Sequence, residues 1–412
     1  MRVHKLSPEV KINYISICVL VAYLVLPVLN RGLPAFVRVA YVCVALFTYY
    51  VSLCLIDRSG WIETTVVILL ALLFVSLCYF GSRQTVSLPN YVFANFLFWI
   101  PFLFMYNRCL VRDDSFRRFL SRFILVLFIV TATTTLFGLI QDPMVSRFLA
   151  TGQTDGYGLR GYSFRNVGDY NFIYSLVIML PMLIGAWRLT GIKHGQLLIA
   201  LLLSLVCLVR AQYSIALIIS VIALSMAILV KRFSPMKLCL IVIVEFMLLL
   251  ALYALLPSII DLVSNLGPSA SFIRYRLSDT FAVINSDSIF GLDRVQRLIM
   301  SLNVFLENPI SGNLFASNMA ELGNHSTVLD LLGEMGIFAL VFILIFYIAL
   351  IRHFAAWTIS PRVKPYLYTA IIAFTITGLI NTVLSSFTMP VVMLLFPLGL
   401  DGENTSQVGS HI

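Results

Sequence analysis

The sequence predicts an all-α polytopic membrane protein of about twelve transmembrane helices, and three observations predict it. Of 412 residues, 60% are hydrophobic and only 11% charged, and the mean hydropathy is +0.96, far from the mixture of a soluble globular domain. Apolar runs of roughly the 20 residues that one helix needs to cross a bilayer recur from end to end. Lysine and arginine concentrate in the short polar connections between alternate runs, as cytoplasmic loops do. Together these exclude a soluble enzyme carrying one anchor.

Taken in order, the basic stretch MRVHKLSPEVK leads into an apolar run without a small-residue cleavage site, which reads as a signal anchor retained as the first span. That first span lies near 12–29, and others follow near 35–56, 64–80, 91–107, 123–140 and 171–187. From Leu197 to Val230 the chain is almost unbroken hydrocarbon, interrupted at Arg210, Gln212 and Tyr213, so it divides there into two helices. Further spans are expected near 238–256, 336–351, 366–383 and 388–400. With the N-terminus inside, this arrangement puts Lys5, Lys11, Lys193, Lys231, Lys237 and Lys364 on the cytoplasmic side, with Arg108, Arg112, Arg117, Arg118 and Arg122. The net charge of +9 is then topology, with no soluble basic domain to bind nucleic acid. The seven cysteines lie in or beside apolar runs without CxxC spacing, so neither a disulfide framework nor a zinc site is implied.

Three regions result: nine N-terminal spans over 1–256 with an external loop near 141–170, a large external loop over 257–335, and three spans with a short cytoplasmic tail over 336–412. Loops beyond about 12–15 residues usually carry function or are disordered. The second loop contains VQRLIMSLNVFL at helical spacing, the turn ENPISGN, and LDLLGEMG entering a span. It reads as a helical lid over the outer face.

The chain has no GxxxxGK[ST], HExxH, GxSxG or Rossmann GxGxxG motif, which argues against nucleotide-driven pumping and those hydrolytic chemistries. Its distinctive set is arginines on the external side with one external histidine, His325. Arg210 interrupts hydrocarbon, where a central arginine costs roughly 2.5–3.5 kcal/mol on insertion scales and usually faces the bundle interior or water; snorkelling at a helix end is the alternative. Arg294 and Arg297 lie on the lid helix, where a solvated face is the commoner use, especially for Arg297. Arg160 and Arg165, in GYGLRGYSFRNVGDY, fit a binding loop and an ordinary turn equally well. His325 precedes a helical run in which Asp330 and Glu334 stand one turn apart, a place often taken by a simple polar cap. A base near neutral pH beside guanidinium groups that clasp phosphate suits group transfer from a phosphate leaving group. The acids Asp261, Asp279, Asp287, Asp293, Glu307 and Glu321 are scattered and form no metal cage.

The stretch from Arg294 through FLENPISG to HSTVLDLLGEMG resembles the signature region of the O-antigen polymerase and ligase superfamily of bacterial membrane glycosyltransferases. Arg294, Pro309, Gly312, His325, Leu329, Leu332, Glu334 and Gly336 fit it, and VRAQYS places Arg210 in the family's external turn. Leu298 departs from the aromatic commonly found four residues after the lid arginine, and Ser326 replaces the asparagine usual in ligases, which favours the polymerase. The resemblance implies a GT-C-like fold in the bacterial inner membrane, both termini cytoplasmic and the active site periplasmic. It implies inverting, metal-independent transfer between undecaprenyl-pyrophosphate-linked oligosaccharides, with no cofactor. His325 and Arg210 would be catalytic, and Arg294, Arg160, Arg165 and Arg297 would bind pyrophosphate or glycan. The expected partners are those lipid-linked donor and acceptor molecules, the bilayer and a chain-length regulator protein. A ligase acting on lipid A core and a lipid-linked oligosaccharide flippase remain as alternative readings.

Overall fold

A computed structural model describes residues 7–83, 88–151, 161–189, 192, 194–211, 213–229, 243, 247, 255, 258, 261, 293–356 and 362–400. Among these the chain is helical, without β-strands. The helices are α1 (Pro8–Val25), α2 (Ala35–Ile56), α3 (Arg58–Ser82), α4 (Leu88–Phe104), α5 (Arg108–Arg112), α6 (Asp114–Gln141) and α7 (Val145–Thr151). After these come α8 (Tyr170–Leu189), α9 (His194–Ala211), α10 (Ser214–Leu229), α11 (Asp293–Glu307), α12 (Thr327–Met335), α13 (Ile337–Ala356) and α14 (Lys364–Ile380). Six of them, α1, α2, α3, α6, α8 and α9, are both long and apolar enough to cross a membrane, and shorter apolar helices accompany them. The span expected near 238–256 and the first part of the large loop lie outside the described residues, apart from isolated positions.

The ends of the helices follow from ordinary capping chemistry. Ser7 caps α1 with Pro8 in its first turn, and Asp113 accepts the amides of Ser115 and Phe116 at the start of α6. The long hydrocarbon run is divided into α9, ending at Ala211, and α10, starting at Ser214, as the polar interruption predicts.

The core sits around α8, where Phe172, Ile173, Leu176, Val177, Ile178 and Leu180 are all essentially inaccessible. It packs on α9, α10, α14 and the segment after residue 387. That segment differs from the ordinary span expected near 388–400. It runs as a short α turn (Thr388–Pro390), a π turn (Val391–Leu395) and a 3-10 turn (Phe396–Gly399). Val391 to Phe396 are wholly buried, so protein, and not lipid, surrounds this irregular backbone. The outward faces of α2, α3, α9 and α13 are strongly apolar, with Phe47, Leu69, Val209 and Leu344 more than half exposed, which suits hydrocarbon rather than water.

Successive helices reverse direction and so give the bundle two ends. At one lie residues 26–34, 142–151 and 161–169, Arg210 and Tyr213, α11, α12 and residues 381–387; at the other lie Asp57, Asn107, Arg108 and Asp113. At the latter end Asn107 Nδ2 donates to Asn13 Oδ1 at 2.6 Å, and Asn13 Nδ2 to Ser52 Oγ at 3.0 Å, pairing amides that burial would otherwise penalise.

Candidate functional site

His325 stands in a turn between α11 and α12. Ser326 caps α12 by accepting the Leu329 amide at 3.2 Å, and Asn324 before the histidine takes a left-handed φ of 54°. The imidazole is half-exposed, and its Nδ1 lies 2.9 Å from the Asn324 carbonyl. A carbonyl only accepts, so the geometry assigns a proton to Nδ1; in the neutral tautomer that matches it, Nε2 is the nitrogen left to accept.

The pieces recognised around His325 in the sequence lock together. The Pro309–Gly312 turn lies against the end of α12: Ile337 N donates to the Pro309 carbonyl at 2.9 Å and Asn313 N to the Gly333 carbonyl at 2.9 Å. Gly312 and Gly336 both adopt positive φ, 56° and 58°, and a Cβ on either would overlap the facing backbone. Burial raises the Asp330 carboxyl above its ordinary range, partly offset by hydrogen bonds from Ser301 and backbone amides and by the nearby His325. Burial and then the Asp330 charge push Glu334 up to about 8.

The predicted arginines fall into three groups. Arg297 is on α11, with its backbone against the His325 turn at Gly323; Arg294 is one turn earlier on the same helix. Arg160 lies outside the described residues, whereas Arg165 is described, with Nη1 donating to Gln141 Oε1 at 3.4 Å. Arg210 ends α9, half-buried; its Nη2 donates to the Leu139 carbonyl at the end of α6 at 3.4 Å. Its buried Nε has no hydrogen-bond partner among the described residues.

Two cations were not singled out by sequence reasoning. Arg147 of α7 places its guanidinium carbon 5.5 Å from the centroid of the Tyr213 ring. Arg31 pairs with Asp169 at 2.5 Å and donates to the Leu149 carbonyl at 3.3 Å, while Asp169 caps α8 through the Phe172 amide. Their signal in the sequence is position alone, beside the ends of apolar runs on the His325 side.

A chain of contacts joins the Arg210 turn to His325. Tyr213, three residues after Arg210, packs edge-on against Tyr170 with ring centroids 4.8 Å apart. The Tyr170 hydroxyl donates to Asn381 Oδ1 at 2.6 Å, and the Asn381 carbonyl accepts from both Thr327 N at 3.2 Å and Thr327 Oγ1 at 3.1 Å. Thr327 and Val328 also form one edge of an apolar groove with a cavity volume of about 70 Å³, lined among others by Phe98, Trp99, Leu331, Phe346 and Phe374. Among the described residues no three His, Cys, Asp or Glu side chains converge as metal ligands. No protein-family model and no curated protein matches the chain.

Proposed function

We propose that the protein is an O-antigen polymerase, joining undecaprenyl-pyrophosphate-linked repeat units at the periplasmic face of the bacterial inner membrane. The observation that carries this reading is the meeting, at one end of an apolar helical bundle, of a histidine poised as a base and the Arg210 turn, linked through Tyr213, Tyr170, Asn381 and Thr327. The motif residues that resemble the polymerase and ligase superfamily supply the chemistry; the Arg31, Arg147, Arg165 and Arg210 positions supply cationic density at the same end.

In this reading guanidinium groups hold the pyrophosphate of the donor and stabilise the negative charge that grows on it as the bond from sugar C1 to phosphate oxygen breaks. His325 Nε2 takes the proton from an acceptor hydroxyl on a second lipid-linked unit, which attacks C1 from the opposite face and inverts it. The products are the lengthened glycan and free undecaprenyl pyrophosphate. The apolar groove beside Thr327 suits an isoprenoid chain.

The test is the surface-polysaccharide ladder of a deletion strain complemented with wild type, His325→Ala or Arg210→Ala, with membrane abundance checked. Core carrying one repeat unit is the expected result for both variants. Bare core would assign the ligase instead, and an unchanged ladder from abundant protein would refute both.

A further inference from the structure

We infer that Asp330, acting with Ser301, is a positioning residue that fixes the conformation of the turn presenting His325 and thereby which imidazole nitrogen is the base. This rests on the reading of His325 as the base. Ser301 of α11 and Asp330 of α12 are both buried, and Ser301 Oγ donates to Asp330 Oδ1 at 2.6 Å. The same Ser301 oxygen accepts the Gly323 amide at 2.9 Å, and Asp330 Oδ2 accepts the Ser326 amide at 3.1 Å. The backbone is therefore gripped on both sides of His325 by two side chains from two helices.

That grip bears on chemistry through Asn324. Its left-handed φ of 54° is one that asparagine reaches more readily than most residues with a side chain, and the bonds to Gly323 and Ser326 hold the backbone on either side of it. It aims the carbonyl that receives the His325 Nδ1 proton at 2.9 Å. If the turn relaxes, this carbonyl rotates away and nothing selects Nε2 as the free base. Gly323 adds a second constraint: a Cβ there would overlap the Arg297 carbonyl, so the turn sits directly on the α11 backbone. An aspartate five residues beyond a histidine shows no such role in sequence, because the amide it holds precedes it and its hydroxyl partner stands on another helix.

The test uses the full-length protein in lipid nanodiscs, with the variants Asp330→Asn and Ser301→Ala. Histidine labelled with ¹⁵N reports the tautomer directly, and the His325 resonances are assigned by their loss in His325→Gln. Wild type is expected as the Nδ1-protonated tautomer. Both variants are expected to lose that preference and, with lipid-linked repeat units as substrate, to fall about ten- to a hundredfold in kcat with little change in KM. A wild-type tautomer retained in either folded variant would overturn the inference. So would tautomer loss in the variants with undiminished kcat while His325→Ala is inactive. Should Asp330→Asn fail to fold, Ser301→Ala alone decides by the same readings. If His325→Ala keeps full activity while the tautomer shifts as expected, the catalytic reading fails and the positioning itself stands.

Discussion

A guanidinium over an aromatic face is held by the ring's electron-rich surface without losing its positive charge. Arg147 lies over Tyr213 in that manner, and in the proposed enzyme it belongs to the pyrophosphate site. Charge-assisted hydrogen bonds contribute about 1.5–3 kcal/mol, so Arg147→Ala is expected to lower kcat/KM by about ten- to a hundredfold. Lysine there, a point charge without the flat fork, should restore only part; equal activity of the Ala variant and wild type would remove Arg147 from the site. Glu334 makes a different prediction. Burial favours its neutral form, raising it from 4.5 in the unfolded chain to about 8 in the fold. The unfolded state therefore loses its proton first, so this contribution to stability is full below pH 4.5 and is lost as the pH rises to about 8. Thermal unfolding in detergent should show that decline in wild type and not in Glu334→Gln. His325, Arg297 and Arg210 were legible in the sequence because each stands in a local pattern. Arg147 and Arg31 were not, since Tyr213 and Asp169 reach them from distant parts of the chain.

Between residues and bundle, the elements around the site are joined backbone to backbone. The Pro309–Gly312 turn and the end of α12 approach so closely that glycine is required on both sides. Gly336→Ala is expected to destabilise the protein by at least about 1–3 kcal/mol, the usual cost of a disfavoured backbone conformation. It should also lower activity by displacing α12; a variant with wild-type unfolding temperature and activity would contradict this. The amphipathic stretch VQRLIMSLNVFL announced α11, and polar interruption announced the break between α9 and α10. The π and 3-10 character of 391–399 could not be read in the same way. Hydropathy reports how apolar a segment is, and that segment is apolar because protein encloses it on every side.

For the whole molecule, the decisive property is sidedness. Alternating helix direction gathers His325, Arg31, Arg147, Arg165 and Arg210 at one end and Asp57, Arg108 and Asp113 at the other. The charge distribution in the sequence predicts that the first of these ends faces the periplasm. Single cysteines at the exposed positions Ile310 and Phe315, in a cysteine-free background, should react with an impermeant maleimide added outside the inner membrane. A cysteine replacing the exposed Glu63 should react only after permeabilisation. The reverse pattern would invert the topology and with it the periplasmic assignment.

The wholly enclosed strand of backbone at 391–396 also has a bearing on biogenesis. It is translated after α1, α4, α6, α8 and α14, against all of which it packs. Until it arrives, those helices lack the residues that fill the space between them in the finished bundle. The final packing of the bundle therefore waits for the last part of the described chain. A stop codon placed just before Thr388 would leave inserted helices that never consolidate, a natural substrate for membrane quality-control proteolysis.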